Sequence, residues 1–209
     1  MWDERVWVDG ALGRACPTPE EIRVQLWLQL SRGAKGVLWF IGFDEAEFRR
    51  YYMQARNIPA LRALPEAERT PLVEQLVAHG HEAFDEQTRL NRFLQPLRNA
   101  LLQMEWRPNG ARVLSASSPR RLDAALLVGM REAAVWLTNL DYDMHPQGYR
   151  FREQRGIELE VRLPAWLSPK QARLLAPNAE PRPLTLERSG LILRLRVDAL
   201  PQHVGLIWV

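Results

Sequence analysis

The side chains that could do chemistry in this sequence are carboxylates and aromatic rings that follow short apolar runs. Asp9 ends the run Val6-Trp7-Val8, and Asp44 lies shortly after the run Val37-Leu38-Trp39-Phe40-Ile41. If those runs are strands, Asp9 lies at the carboxyl end of the first one. Each carboxylate also has a structural alternative, since Asp-Gly favours a turn and Asp44 suits a helix N-cap.

The chain carries eight tryptophans, whose flat apolar rings can complement the C–H face of a sugar. Trp39 and Phe40 lie towards the end of the second run, and side-chain alternation lets only one of them point inward. Trp166 follows Pro164 and is a candidate exposed ring, whereas Trp136 and Trp208 lie within apolar runs that predict core positions. Packing in the core remains the structural alternative for most of the eight.

The histidines have weak metal-binding patterns. His79 and His81 are two residues apart, a spacing that places both on one face of a strand but not of a helix or loop. His145 has Asp141 and Asp143 nearby, which suggests either a weak cation site or a solvated loop. We predict no metal site and no cofactor.

Composition describes an ordinary globular protein of 209 residues with 46% hydrophobic residues and a formal net charge of +3. The basic residues form no stripe with interleaved aromatics, so we expect no nucleic-acid partner. No apolar run approaches a membrane span, so we expect no membrane partner either. Cys16 is the single cysteine, and the first residues lack the pattern of a signal peptide, so the compartment stays open. The sequence has no GxSxG nucleophile elbow, and its GAKG segment precedes an apolar run, the wrong order for a phosphate loop.

Residues 18–42 contain the clearest local pattern, a helix followed by a short apolar run. Thr18 suits the N-cap, with Pro19 at the first helical position and Glu21 as the capping-box partner. Gly33 suits the left-handed position that ends a helix. The run Val37–Ile41 then predicts a strand buried on both faces, and a helix entering such a strand is typical of parallel α/β sheets.

This stretch resembles the end of a (β/α)8 barrel in many glycoside hydrolases. The matching residues are Pro17-Thr18-Pro19-Glu20-Glu21, Gly33-Ala34-Lys35-Gly36 and Leu38-Trp39-Phe40. The resemblance implies that they form helix 7 and strand 8 of the barrel, with Val6-Trp7-Val8 as strand 7. It also implies a long helix after the barrel and a C-terminal all-β domain.

The middle of the chain predicts helices. Asp44 is expected to cap a helix through Tyr52, and residues 58–71 read as a proline-punctuated loop with one helical turn. A long helix is expected from Thr70 to Glu105, with a possible break at Gly80 and a kink or boundary at Pro96.

Beyond residue 107 the apolar period changes from helical to alternating. Eight short strands are predicted between Ala111 and Val209, a pattern typical of an antiparallel β-sandwich. Residues 142–156 are polar and read as an exposed loop. The expected fold is α/β plus all-β, with a partial barrel segment and long helix in residues 1–107 and the sandwich in residues 108–209.

Glycosidic bond hydrolysis requires two carboxyl groups flanking the bond. In the resembling barrels the acid/base follows strand 4, which this chain lacks, and the nucleophile follows strand 7. The resemblance therefore implies Asp9 as the catalytic candidate, although those nucleophiles are usually glutamates. It implies Trp39 as a ring lining the sugar pocket, with Asp44 in the loop that follows. Trp166 is a further candidate for carbohydrate contact.

Two functions follow. In the first, the chain is the C-terminal portion of a glycoside-hydrolase-like protein, which acts on glycosidic bonds only when the missing barrel completes it. In the second, it is a non-catalytic module for carbohydrate binding or protein assembly. Two barrel strands alone leave unpaired edges, so residues 1–105 are expected to need a partner chain, self-association or a rearranged helical packing.

Overall fold

A computed structural model describes residues 17–38, 45–54, 59–145 and 148–209. The described chain divides into two compact units. The first contains the described residues up to Ile22, those of Leu38–Thr88, and Asp143–Arg150. The second contains Arg23–Val37, Arg89–Tyr142 and Phe151–Val209. Each unit has a hydrophobic core of its own.

The α-helices in the described residues are α1 (Pro19–Leu30), α2 (Glu45–Gln54), α3 (Pro59–Ala63), α4 (Glu66–Leu94) and α5 (Arg98–Gln103). The capping box predicted for α1 is confirmed. The Glu21 backbone N–H donates to Thr18 Oγ1 at 3.3 Å, and the Thr18 N–H donates to Glu21 Oε2 at 3.0 Å. Two N–H groups that lack intrahelical partners are thereby bonded.

The end of α1 is also as predicted. Gly33 has φ +88°, in the left-handed region. Its N–H donates to the Leu30 carbonyl at 2.9 Å, and the Ala34 N–H donates to the Gln29 carbonyl at 3.3 Å. This pair of bonds is a Schellman motif, which a residue with a Cβ would form at a conformational cost.

The buried strand predicted for residues 37–41 is wrong for its first two residues. Val37 and Leu38 lie outside any strand, and the Leu38 side chain is 91% exposed. An apolar run is buried only where layers cover it on both sides, and local sequence does not reveal those layers. Trp39, Phe40 and Ile41 lie outside the described residues, as does Val6-Trp7-Val8, so the partial barrel stays a prediction.

The first unit contains a small core in which α2, α3 and α4 supply apolar side chains. Its buried members are Tyr52, Leu61, Val73, Leu76 and Val77. Arg49 on α2 donates to Glu74 on α4 at 2.8 Å and to Glu45 at 2.9 Å. The prolines before Thr70 therefore separate packed helices and do not mark an open loop.

Helix α4 begins earlier than predicted, has no break at Gly80, and ends at Leu94 instead of Glu105. It includes Pro71, which lacks the N–H that would bond the Ala67 carbonyl, and it passes through buried Gly80. The prediction of a loop up to Pro71 is wrong because burial of Val73 and Leu76 stabilises the helix around the missing bond. The boundary predicted at Pro96 is confirmed, since α4 ends at Leu94 and a 3₁₀ turn follows.

The strands are β1 (Glu105–Arg107), β2 (Ala111–Ser115), β3 (Leu122–Val128), β4 (Ala133–Asn139), β5 (Tyr142–His145), β6 (Gly148–Phe151), β7 (Arg155–Arg162), β8 (Ala172–Ala176), β9 (Ala179–Leu184), β10 (Leu186–Ser189), β11 (Ile192–Ala199) and β12 (Val204–Trp208). Six form a sheet in the order β1-β3-β4-β12-β8-β9, and four form a second sheet in the order β10-β11-β7-β2. Their pairings are antiparallel, as the alternation predicts.

Both sheets contribute to one hydrophobic core in the second unit. From β7 this core takes Ile157, Leu159 and Val161, which are at most 1% exposed, as their alternation predicts. Val135 and Leu137 of β4 enter the same core from the six-stranded sheet. The long helix and the antiparallel sheets are thus present, and the sandwich arrangement is consistent with their shared core.

The exposed loop predicted for residues 142–156 is wrong as to the loop, although most of the described side chains in this segment are exposed. Strands β5 and β6 pair as a two-stranded sheet, and β7 begins at Arg155. In the first unit, the Tyr149 N–H donates to Glu21 Oε1 at 2.7 Å, so the capping carboxylate also holds this hairpin. A short polar ribbon of this kind satisfies its backbone without an alternating apolar pattern.

The sheet edges are short or interrupted. Edge strand β1 has three residues, edge strand β10 has four, and edge strand β9 carries Pro181 and Pro183. Edge strand β2 has an irregular register between Val113 and Ser115. Each of these features limits pairing with a further strand.

Candidate functional site

Of the candidate catalytic and sugar-binding residues, Trp166 lies within the described residues, whereas Asp9, Trp39 and Asp44 lie outside them. The structure therefore tests none of the roles of those three. Trp166 is 62% exposed, in agreement with its expected exposure.

The loop that carries Trp166 is anchored on both sides. It connects β7 to β8, and its Leu163 and Leu167 side chains are buried in the core at 2% and 4% exposure. The Leu167 N–H donates to the Pro164 carbonyl at 3.1 Å, which closes a tight turn around Trp166. An exposed ring held this way can stack on a ligand without first ordering its backbone.

Two further connections lie at the same end of the sheets. The Leu163 N–H donates to the Leu191 carbonyl at 2.9 Å, which places the β10–β11 turn beside the Trp166 loop. On the other sheet, the Ala133 and Val209 backbones exchange hydrogen bonds of 2.9 and 3.0 Å where β4 begins and β12 ends. We call residues 129–132, 163–171 and 190–191 the loop end.

The loop end exposes apolar side chains from all three connections. Met130 is 82% exposed in the β3–β4 turn, and Leu191 is 47% exposed in the β10–β11 turn. The Gly129 N–H donates to the Glu132 carbonyl at 2.9 Å, which fixes the turn below Met130. Exposed apolar groups on fixed turns are typical of contact surfaces.

A cleft of about 410 Å³ lies on the four-stranded sheet beside β9. Its charged lining residues come from both signs: Glu158, Arg182, Glu187, Arg194, Arg196 and Asp198. Arg196 and Glu158 form an ion pair at 3.2 Å. None of the described residues that line this cleft is aromatic, so it offers no stacking surface for a sugar ring.

Three described carboxyl groups have pKa values held below their usual range. A hydrogen bond from Ser118, with further help from Arg152, lowers the pKa of Asp141. Hydrogen bonds from Arg49 lower the pKa of Glu45 and that of Glu74. These groups are stabilised as ionised acceptors, whereas a glycosidase general acid requires a raised pKa.

A buried polar network that the sequence did not reveal centres on Asn139, at the opposite end of the sheets. Asn139 Oδ1 accepts from the Asp141 N–H at 2.9 Å and from Gln154 Nε2 at 3.4 Å. Its Nδ2 donates to the Arg152 carbonyl at 2.6 Å and lies 3.2 Å from His203 Nδ1. The only sequence signal was a cluster of polar residues where apolar strands end.

The backbone beside this network has an unusual conformation. Gln202 and His203 have φ values of +48° and +69°, in the left-handed region that disfavours residues with a side chain. Arg23 Nη1 donates to Gln202 Oε1 at 2.7 Å, and the His203 ring stacks on Phe151 at 4.9 Å between centroids. These contacts fix the connection between β11 and β12.

The structure gives the surroundings of three residues from the histidine patterns: His79, His81 and Asp141. His79 and His81 lie on α4, where their spacing does not place both on one face. His81 Nε2 lies 2.9 Å from Glu45 Oε2. Asp141 is 7% exposed and accepts from Arg152 Nη1 at 2.7 Å, which removes it from a solvated loop. No cluster of three metal-binding side chains occurs in the described residues.

Comparison with known proteins gives weak likenesses. A cycloisomaltooligosaccharide glucanotransferase from Paenibacillus sp., bound to cycloisomaltoheptaose, has a TM-score of 0.47 at 13% identity over 68% of this chain and 21% of that chain. Alpha-L-fucosidase isoenzyme 2 from Paenibacillus thiaminolyticus has a TM-score of 0.34 at 14% identity, over 68% and 19% of the two chains. This chain spans about a fifth of the length of either enzyme.

No family model and no curated protein sequence matches the chain. Among the described helices, none has the length and apolar character needed to cross a membrane.

Proposed function

We propose that this chain is the C-terminal portion of a glycoside-hydrolase-like protein, in which the described strands contribute carbohydrate binding and the missing barrel contributes the chemistry. The observation that carries the binding role is Trp166, 62% exposed on a loop anchored by buried Leu163 and Leu167. A ring presented on a fixed turn is the feature expected of a sugar-stacking position.

Three of the described carboxyl groups support the division between binding and chemistry. Asp141, Glu45 and Glu74 are each stabilised in the ionised form by hydrogen-bond donors. None of the three can serve as the general acid at neutral pH. Asp9 is proposed as a carboxylate of the completed protein, with Trp39 and Asp44 beside the sugar, and these three roles depend on the barrel resemblance.

Affinity electrophoresis in gels that contain polysaccharide tests the binding role. The wild-type chain should be retarded relative to a gel without polysaccharide, and Trp166→Ala should lose most of that retardation. Trp106→Ala is the matched control, because Trp106 is 42% exposed but carries the Arg32 guanidinium 5.6 Å from its ring centroid. Equal losses in both variants, or no retardation of the wild type by any polysaccharide, would refute the binding role of Trp166.

An assay with aryl glycosides tests the catalytic division. The chain alone should release no aryl alcohol, whereas a protein carrying the preceding barrel units should. In that longer protein Asp9→Asn should abolish turnover while leaving gel retardation unchanged. Turnover by the present chain alone would contradict the proposal that the chemistry lies elsewhere.

A protein-assembly module is the second candidate, and the apolar side chains of the loop end favour it. Met130 and Leu191 are 82% and 47% exposed at the same end of the sheets as Trp166, and exposed apolar groups that share one surface are typical of protein contacts. Light scattering coupled to size exclusion should then show an assembly that Met130→Ser weakens. A wild-type chain that stays monomeric on concentration would exclude self-association.

A further inference from the structure

The loop end carries an excess of positive charge around its apolar side chains. Two exposed basic residues, Arg131 and Lys170, belong to the loop end, and three more, Arg162, Arg173 and Arg188, lie in the adjoining strands within two residues of it. Arg188 Nε donates to the Gly190 carbonyl at 2.9 Å, and Arg173 Nη2 donates to Gln171 Oε1 at 3.4 Å. The contacts of these two guanidinium groups are thus with neutral oxygens of the loop end.

None of the five forms an ion pair with a described carboxylate. Elsewhere in the same unit, Arg196 pairs with Glu158 and Arg155 pairs with Glu153. Four carboxylates lie in or near the loop end: Glu105 opposite Val128, Glu132 in the β3–β4 turn, and Glu160 and Glu187, which stand opposite Arg194 in the sheet. Glu132 accepts from Trp208 Nε1 at 2.6 Å. Because Glu160 and Glu187 have Arg194 as a cross-strand neighbour, the five basic groups leave the loop end with a net positive charge.

We propose that the loop end binds a polysaccharide that carries carboxylate groups, with Trp166 stacking on a sugar ring and the basic side chains contacting its acidic groups. The proposal rests on the carbohydrate-binding role of Trp166 and adds the class of sugar. Guanidinium groups bind carboxylates through two parallel hydrogen bonds, and several such contacts along a chain add to one another.

An anionic membrane surface would offer the same charge, and Met130 beside Arg131 also suits the lipid interface. The feature that favours a polysaccharide is the Trp166 ring, which is 62% exposed on an anchored turn and presents a flat face for a sugar. A polysaccharide chain that lies across the loop end can stack on the Trp166 ring and contact the basic side chains at the same time.

The test compares polygalacturonate with its methyl ester, which keeps the same backbone and removes the charge. At low salt, polygalacturonate should bind the full chain at least about threefold more tightly than the ester, the difference expected of one exposed ion pair. Arg131→Gln and Lys170→Gln should each weaken polygalacturonate binding by about threefold, and high salt should remove most of the difference. Binding is measured by affinity electrophoresis, and far-UV circular dichroism verifies each fold.

Arg194→Gln is the matched control, since Arg194 is exposed but stands opposite Glu160 and Glu187 in the sheet. Equal weakening by Arg194→Gln would overturn the assignment to the loop end. Equal binding of the ester and the acid would refute the charge preference while leaving the proposed function intact. If neither polygalacturonate nor its ester binds, and Trp166→Ala does not change the retardation by any polysaccharide, the proposed function is refuted as well. Sedimentation with anionic phosphatidylserine vesicles, combined with no polygalacturonate binding, would identify a membrane surface instead and overturn the proposal.

Discussion

The two sheets of the second unit share a core but differ in what lies on their other faces. On the six-stranded sheet, β4 is buried over its whole length, and Trp136 meets Trp27 edge to face at 5.3 Å. On the four-stranded sheet, β7 alternates, and its outward Glu160 lies between Arg112 and Arg194 in a row of opposite charges. One sheet is an interior layer and the other a solvated surface.

The difference shows how the helices decide the role of a sheet. Trp27 of α1 packs against Trp136, stacks on Phe93 of α4 at 5.7 Å, and donates from Nε1 to the Gly205 carbonyl at 3.1 Å. Because α1 covers the six-stranded sheet, both faces of β4 are apolar. Strand β7 lies in the other sheet, and its outward residues are charged. Substitutions should therefore have unequal effects on the two outer faces.

The largest effect is expected from Trp136→Ala, which removes a fully buried ring between the six-stranded sheet and α1. The free energy of unfolding should fall by about 3–5 kcal/mol because a large cavity forms. Urea unfolding followed by far-UV circular dichroism measures it. Trp166→Ala should change the same quantity by less than about 0.5 kcal/mol. A small effect of Trp136→Ala would mean that the helical cover contributes little.

A smaller loss is expected from Asn139→Ala at the end of β4. The substitution leaves buried donors and acceptors unbonded, including the Gln154 amide and the Arg152 carbonyl. The free energy of unfolding should fall by about 2 kcal/mol, measured in the same urea titration. Exposed Gln171→Ala is the control and should be silent. An unchanged free energy of unfolding in Asn139→Ala would show that water bonds the polar groups that the substitution leaves without partners.

Asp141 should make stability depend on acid pH. Because the Ser118 and Arg152 hydrogen bonds lower its folded pKa, its contribution is present above the unfolded pKa of about 4 and is lost as pH falls through the folded value. The urea midpoint of the wild type should therefore drop as the pH falls below about 4, and Asp141→Asn should flatten that drop. A drop of the same size in Asp141→Asn would show that other groups cause the loss of stability in acid.

The smallest effect is expected on the outer face of the four-stranded sheet. Arg194→Gln breaks a charge row across β10, β11 and β7, yet Arg194 is exposed. The free energy of unfolding should change by less than about 0.5 kcal/mol because solvent screens such charges. A double-mutant cycle with Glu160→Gln measures the coupling directly. A coupling comparable to the Trp136→Ala loss would remove the distinction between the two faces.

Local signals allowed part of this fold to be predicted. The Thr18–Glu21 box, the Gly33 stop, the Pro96 boundary and the alternation of β7 depend on neighbouring residues, and each is present. Burial of Leu38 was wrongly predicted because an apolar run does not reveal which layers cover it.

The exposure of Trp166 could be predicted from the sequence, but the residues around it in the candidate site could not. Exposure of Trp166 follows from Pro164 and a strand end, both local features. That the turns of Met130 and Leu191 lie at the same end of the sheets as Trp166 depends on how two sheets connect, and His203 reaches Asn139 across 64 residues of chain. Contacts of that separation leave no periodic signal in a single sequence.

The short or interrupted edge strands have a consequence for concentrated solutions of the folded protein. Growth of a cross-β fibre requires a long strand whose free amides can take up another chain, and Pro181 and Pro183 interrupt those amides on β9. Three-residue β1 offers too little backbone at the opposite margin. Folded molecules should therefore not nucleate amyloid fibres at high concentration. Any amyloid fibre that does form should begin from unfolded chains.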